Sequence, residues 1–151
     1  MSIENATAEL TLNQYLPHIM ANISKRISDN CSHIYSRDTN ISVPEWRVMS
    51  RVAENPGINS KNIGEITLMD KSKVSRAVKS LEEKHLLIRE KSCDDNRVSN
   101  LCLTERGLHM YQEIAPKALS WENNLLTALS DSEYQDLLRI LDKLDERLRV
   151  M

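Results

Sequence analysis

The chain has 151 residues with only three Gly and four Pro, a length that suits one domain with a sizeable core and a composition that favours helices over an all-β design. Its formal net charge of −2 excludes a uniformly basic surface, but the charge is uneven. Residues 59–104 carry nine Lys and Arg against seven Asp and Glu, whereas residues 105–151 carry six against nine, so positive potential is concentrated where it could steer a chain toward phosphate.

From Thr11 to about Ile34, the residues Leu12, Leu16, Ile19, Ile23, Ile27 and Ile34 form one helical stripe, and Pro17 is tolerable in its first turn. Ser42-Val43-Pro44-Glu45 matches a capping box and marks the next helix start. Asn59 can cap a short helix in which Ile63 and Ile66 face inward and Gly64 leaves room for another helix to press close. After Thr67-Leu68-Met69, Asp70 caps a second helix whose apolar residues Val74, Ala77, Val78 and Leu81 recur at helical spacing. That stripe turns Lys71, Ser72, Lys73, Ser75, Arg76 and Lys79 outward, with no carboxylate before Glu82. Cations and hydroxyls near a helix N-terminus suit phosphates, and Arg and Ser can reach base edges in a major groove.

A basic helix face taken alone is more often a solvated surface than a DNA site. Here two short strands follow it, Leu86 to Glu90 and Val98 to Leu103, joined by the polar turn Lys91-Ser92-Cys93-Asp94-Asp95-Asn96-Arg97. A hairpin that projects Arg97 suits a narrow minor groove. Further on, Ser130-Asp131-Ser132-Glu133 is a second capping box, and Tyr134, Leu137, Leu141, Leu144 and Leu148 then form a seam that wants a partner helix, either within the chain or on a second subunit.

In order along the chain, Val43 to Met49 with its Trp46-Arg47 pair, Val74 to Glu82, Asp95-Asn96-Arg97 and Leu103-Thr104-Glu105-Arg106-Gly107 resemble the blocks of the MarR family of bacterial transcriptional regulators. The resemblance spans roughly residues 12–148. It implies a mainly α fold with a small β-hairpin wing, a winged helix-turn-helix with N- and C-terminal dimerisation helices. Residues 1–151 then form a single domain, with a DNA-binding lobe at 41–104 and dimerisation helices at 11–36 and 105–151. Three positions depart from the family pattern. Asn96 stands where the wing signature usually has a second Arg, His85 where the recognition helix often closes on Gly, and Val98 where a smaller residue is common. His85 is therefore expected in a left-handed cap.

The implied function is a cytoplasmic homodimer on a double-stranded, pseudo-palindromic operator. It would act as a repressor released by a small anionic aromatic effector, without a cofactor, catalysis or membrane attachment. DNA contacts fall to Lys71, Ser72, Lys73, Ser75, Arg76, Lys79 and Arg97, with Asp95 holding the wing through a charge-assisted hydrogen bond. In the crevice where the family commonly takes its effectors, His18, Asn22 and Arg26 recur at i, i+4, i+8 to line one side, and Trp46 offers an aromatic wall; each has a plain surface or core role as its alternative.

His18, His33, His85 and His109 have no metal-ligand spacing. Cys31, Cys93 and Cys102 are scattered, and with no signal-peptide pattern or transmembrane run they fit a reducing compartment. Two other readings stay open: a thiol-based redox-sensing regulator acting through Cys31, and a protein-interaction module that uses the winged helix only as a scaffold.

Overall fold

The computed structural model describes residues 9–37, 39–91 and 99–151, which divide into two compact units between Tyr111 and Gln112. In the first unit a short 3-10 turn at Leu12–Gln14 leads into α1 (Leu16–Cys31), with Pro17 in its first turn, and α2 (His33–Ser36). The single helix expected from Thr11 to Ile34 is thus three pieces. At Ser32 the backbone stays helical while its hydroxyl donates to the Asp29 carbonyl at 2.9 Å, a local bond that competes with the regular ladder.

Helix α3 (Val43–Glu54) starts at the expected capping box: the Ser42 side chain accepts from the Glu45 N–H, and the Glu45 carboxylate accepts from the Ser42 N–H. Helices α4 (Ser60–Thr67) and α5 (Lys71–Glu83) form the helix-turn-helix, capped by Asn59 and Asp70 as their sequence requires. Between them Leu68 takes a left-handed conformation with φ of 55°, which lets three residues reverse the chain. A Cβ on Gly64 would meet the Met69 carbonyl at 3.4 Å and the Val74 side chain at 3.8 Å, so α4 and α5 do approach closely there.

Helix α5 closes in a Schellman motif: Leu86 N–H donates to Leu81 O, His85 N–H donates to Glu82 O, and His85 has φ of 60°. This consumes the Leu86 N–H, and strand β1 accordingly runs from Leu87 to Lys91 rather than starting at Leu86. It pairs antiparallel with β2 (Ser99–Leu103), Leu87 opposite Leu103 and Lys91 opposite Ser99. Gly57 and Ile58 add two backbone hydrogen bonds to Leu101.

The core of this unit comprises Tyr35, Ile41, Val48, Met49, Val52, Ile63, the α5 stripe, Leu86, Leu87 and Leu101, all buried. Fully burying an aliphatic side chain of this size stabilises by about 1.5–3 kcal/mol, so this cluster fixes how α3, α4, α5 and the hairpin pack. Ile66 departs from expectation. It lies only about 60° round from Ile63, on the same side of a short helix, yet stays 47% exposed, beside the α3 residues Trp46, Arg47 and Arg51 instead of the core.

Helix α6 (Glu105–Leu126) runs from the first unit into the second, and α7 (Asp131–Val150) follows a short turn. The second capping box is present as expected, with Ser130 and Glu133 bonded reciprocally. No residue of α7 is buried, and its seam residues Leu137, Leu141, Leu144 and Leu148 are all exposed.

Candidate nucleic-acid interface

Three independent features aim α5 outward. Its stripe of Val74, Ala77, Val78 and Leu81 is buried, its N-terminus is capped by Asp70, and Lys71, Ser72, Lys73, Ser75, Arg76 and Lys79 are all exposed. At 100° per residue, Ser72, Arg76 and Lys79 lie on the crest opposite the buried stripe. Lys73 falls on the α3 flank, bordering a groove of about 250 Å³ with Ser42 and Ser80. Lys71 and Ser75 fall on the α4 flank, beside a cavity of about 520 Å³ that also includes Lys61 and Met69.

Local hydrogen bonds hold this surface in order. Asp70 Oδ1 accepts from the Lys73 N–H at 2.9 Å and from the Ser72 hydroxyl at 2.9 Å, and these bonds hold its carboxyl below the ordinary value. Arg76 Nε donates to the Ser72 carbonyl at 3.3 Å, laying the guanidinium along the crest. Among the described residues no carboxylate forms an ion pair with Lys71, Lys73, Arg76 or Lys79, whereas Lys84 and Arg89 are paired to Glu45 and Glu82. Four cations of α5 are therefore left to meet an anion.

The Arg89–Glu82 bridge, 2.7 Å, ties strand β1 to the end of α5 and so sets the base of the wing. Asp95 and Arg97, together with Cys93, Asn96 and Val98, lie outside the described residues.

Of the expected effector-lining residues, His18, Asn22 and Arg26 lie on α1 and Trp46 lies on α3. His18 and Asn22 are hydrogen-bonded to each other on α1 at 3.2 Å and Arg26 is exposed on the same helix. Trp46 instead belongs to an aromatic stack, 5.6 Å from Tyr35 and 5.4 Å from Tyr111 between ring centroids. It borders an open groove of about 440 Å³ between α3 and α4 with Arg47, Arg51 and Ile66, and none of His18, Asn22 and Arg26 lines that groove. The stack was invisible in the sequence, because Tyr35, Trp46 and Tyr111 are far apart in the chain and share no periodicity. Burial, with a hydrogen bond to Cys31, pushes the Tyr35 phenol well above its usual value, so it stays neutral. The sequence shows Glu45 only as half of a capping box, yet it is also the one buried charged residue described. Among the described residues no group of His, Cys, Asp and Glu could hold a metal, and no helix is long and apolar enough to cross a membrane.

A helix-turn-helix with a basic outward helix, backed by a two-stranded wing, defines a winged helix-turn-helix DNA-binding protein. The MarR family model matches residues 41–99, which covers α3 to the start of β2. The protein is similar to a regulator from Acinetobacter sp. ADP1 described as of the MarR/EmrR family. Their structures superpose with a TM-score of 0.86 at 26% identity, over 94% of this chain and 100% of that one. A Thauera aromatica protein named as a candidate transcriptional regulatory protein for the hcr operon is 29% identical over 99 residues, 66% of this chain and 60% of that protein's length. The PcaV regulator of Streptomyces coelicolor, solved in complex with its natural ligand, shares the fold at a TM-score of 0.76 and 19% identity, over 92% of this chain and 97% of that one. Residues 41–99 thus carry the DNA-binding lobe of a MarR-type transcriptional regulator, and regulators of that family bind DNA operators, typically as dimers.

Proposed function

We propose that this chain acts in the cytoplasm as a homodimer on a two-half-site operator, represses transcription there, and leaves it when a small anionic aromatic molecule binds. The observation that carries the DNA half is the exposed face of α5, where Lys71, Lys73, Arg76 and Lys79 have no carboxylate partner among the described residues. On this reading Ser72, Arg76 and Lys79 meet base edges from the crest, Lys71, Lys73 and Ser75 meet the flanking phosphates, and Arg97, shaped by Asp95, enters the minor groove.

The dimer half is supported by apolar surface that a single chain leaves in water. Leu16, Ile19, Ile23 and Ile27 of α1 are 38–50% exposed, and the α7 seam from Leu137 to Leu148 is 36–67% exposed. Patches of this extent mark interaction sites, and a second copy of the chain is the partner that two-fold operator symmetry requires. Residues 11–36 and 105–151 supply that interface, and residues 41–104 supply the DNA-binding lobe.

The effector half is supported by the ligand-bound PcaV relative and by the arginines of this chain: Arg26 on α1, and Arg47 and Arg51 beside Trp46. A carboxylate would be met by a bidentate guanidinium pair.

The test is selection of a duplex from a randomised pool, followed by salt titration of binding for the wild type and for a triple Ala variant at Lys73, Arg76 and Lys79. The expected result is a steep loss of affinity with salt in the wild type and near-complete loss of specific binding in the variant. A folded variant with unchanged affinity, or a wild type without salt-dependent binding, would support the protein-scaffold reading instead. Loss of binding on peroxide treatment, absent in Cys31→Ser, would replace the aromatic effector with a redox signal.

A further inference from the structure

Glu45 and Lys84 play no part in the DNA contacts assigned to α5, yet they form the most enclosed charged contact in the described structure. The Glu45 side chain is 8% exposed. One carboxylate oxygen accepts from the Ser42 N–H at 3.2 Å, while the other accepts from Lys84 Nζ at 2.8 Å and from the Ser80 hydroxyl at 3.2 Å. Lys84 Nζ also donates to the Asn40 carbonyl at 2.8 Å, and Asn40 is held there with φ of 54°. One carboxylate thus joins the first turn of α3 to the last turn of α5 and its C-cap, and one ammonium joins that cap to the chain entering α3.

Burial by itself would raise the Glu45 carboxyl, but the bonds from Lys84 and Ser42 outweigh it and keep the group charged at neutral pH. Apolar packing of Val74, Ala77, Val78 and Leu81 resists separation of the helices but has little directional preference, so it tolerates small rotations of α5. The ion pair does not, because any rotation that breaks it leaves the buried Glu45 carboxylate without its partner.

We infer that Glu45 and Lys84 are positioning residues for operator recognition: through each other and Ser80 they fix the rotation of α5 against α3, so the crest meets the bases in one register. Lys84 does this without touching DNA, since its ammonium is taken up by Glu45 and Asn40. The inference rests on the reading that α5 enters the major groove.

The experiment compares wild type, Glu45→Gln, Lys84→Met, the double variant and Arg76→Ala on two probes, a duplex selected by the wild type from a random pool and an unrelated duplex of equal length, each across a salt series. Circular dichroism reports the folded fraction. Each single variant is expected to lose on the order of tenfold in affinity for the selected duplex, with the double variant no weaker than the weaker single. Affinity for the unrelated duplex and the salt slope stay at wild-type values. If Lys84→Met does not fold, Lys84→Arg, which keeps the charge and displaces the bond, carries the same expectation at smaller size. Unchanged selected-duplex affinity in Glu45→Gln and in the folded Lys84 variant overturns the inference. So does an equal loss on both probes with a slope lower by about 1.8 for Lys84→Met, about 0.9 for each protomer of the dimer, which would make Lys84 a phosphate contact. If Arg76→Ala also binds like wild type, the placement of α5 in the groove fails with it; if Arg76→Ala is weakened while the pair variants are not, only the positioning role is lost.

Discussion

Single residues in this fold are constrained by backbone geometry that side-chain chemistry does not announce. Gly107 sits where a Cβ would fall 2.0 Å from the Leu86 carbonyl oxygen, so the Thr104-Glu105-Arg106-Gly107 block exists to let α6 begin hard against the end of α5. Gly107→Ala is expected to destabilise by at least the 1–3 kcal/mol typical of overpacking, seen as a lower thermal midpoint. His85 is the opposite case, a side chain in a left-handed cap with φ of 60°. His85→Gly relieves that strain and is expected to raise stability by up to about 1 kcal/mol, unless denaturant melts show its side chain contributes more elsewhere. Glu45 sets an acid limit. Its folded carboxyl is held below the unfolded value, so its stabilising effect is complete above the ordinary carboxylate range and is lost as pH falls below about 4 through the lower folded value. Glu45→Gln should therefore narrow the stability gap to wild type in acid melts relative to neutral ones.

At the scale of elements, α5 is a helix with three unequal sides. The buried side fixes its place, the crest bears Ser72, Arg76 and Lys79, and the flanks bear Lys71, Ser75 and Lys73. This division separates two kinds of loss. Arg76→Ala, removing a base contact, is expected to cost about 1–3 kcal/mol on the selected duplex and to relax preference at one position. Lys73→Ala, removing a phosphate contact from each protomer of the dimer, should weaken all duplexes alike and lower the salt slope by about 1.8, about 0.9 per contact. Competition assays with single-base variants of the selected duplex would assign each side, and interchanged outcomes would rotate the proposed docking of α5. The cap belongs to the same element. Because Asp70 holds both the Lys73 N–H and the Ser72 hydroxyl, Asp70→Ala should fray the very turn that faces DNA, lowering specific affinity more than thermal stability.

For the whole molecule the question is what covers the apolar faces of α1 and α7. Placing Lys at Leu141 and Leu144 sets like charges into the seam, and is expected to give a monomer or an unfolded chain in sedimentation, with loss of two-half-site binding. A monomeric wild type would remove the dimer from the proposal. Effector action obeys linkage: a molecule that releases DNA by about 1–3 kcal/mol must itself bind more weakly, by the same factor, when operator is present. Calorimetry with benzoate and related aromatic carboxylates, with and without the selected duplex, measures this. Equal affinities in both titrations would exclude the coupling. Arg26→Ala should weaken the carboxylate and spare unliganded DNA binding; Arg47→Ala and Arg51→Ala test the groove beside Trp46 in the same way.

The sequence by itself determined what depends on neighbours in the chain. Capping boxes at Ser42 and Ser130, caps at Asn59 and Asp70, the α5 stripe and the strand alternation are local hydrogen-bonding and periodic signals, and the helix-turn-helix and its outward basic face follow from them, whereas the left-handed His85 was expected from the family resemblance. Tertiary structure alone decided what depends on residues distant in sequence. Ile66 shares the spacing of an inward residue, but a short helix buries only the side its neighbours cover, and α3 leaves that groove open. Trp46 reads in sequence as core or a pocket wall, and only the fold brings Tyr35 and Tyr111 onto its ring. Glu45 reads as an ordinary capping carboxylate because its second partner, Lys84, lies 39 residues on, and only the packing of α3 against α5 turns a cap into an ionic link with a buried carboxylate.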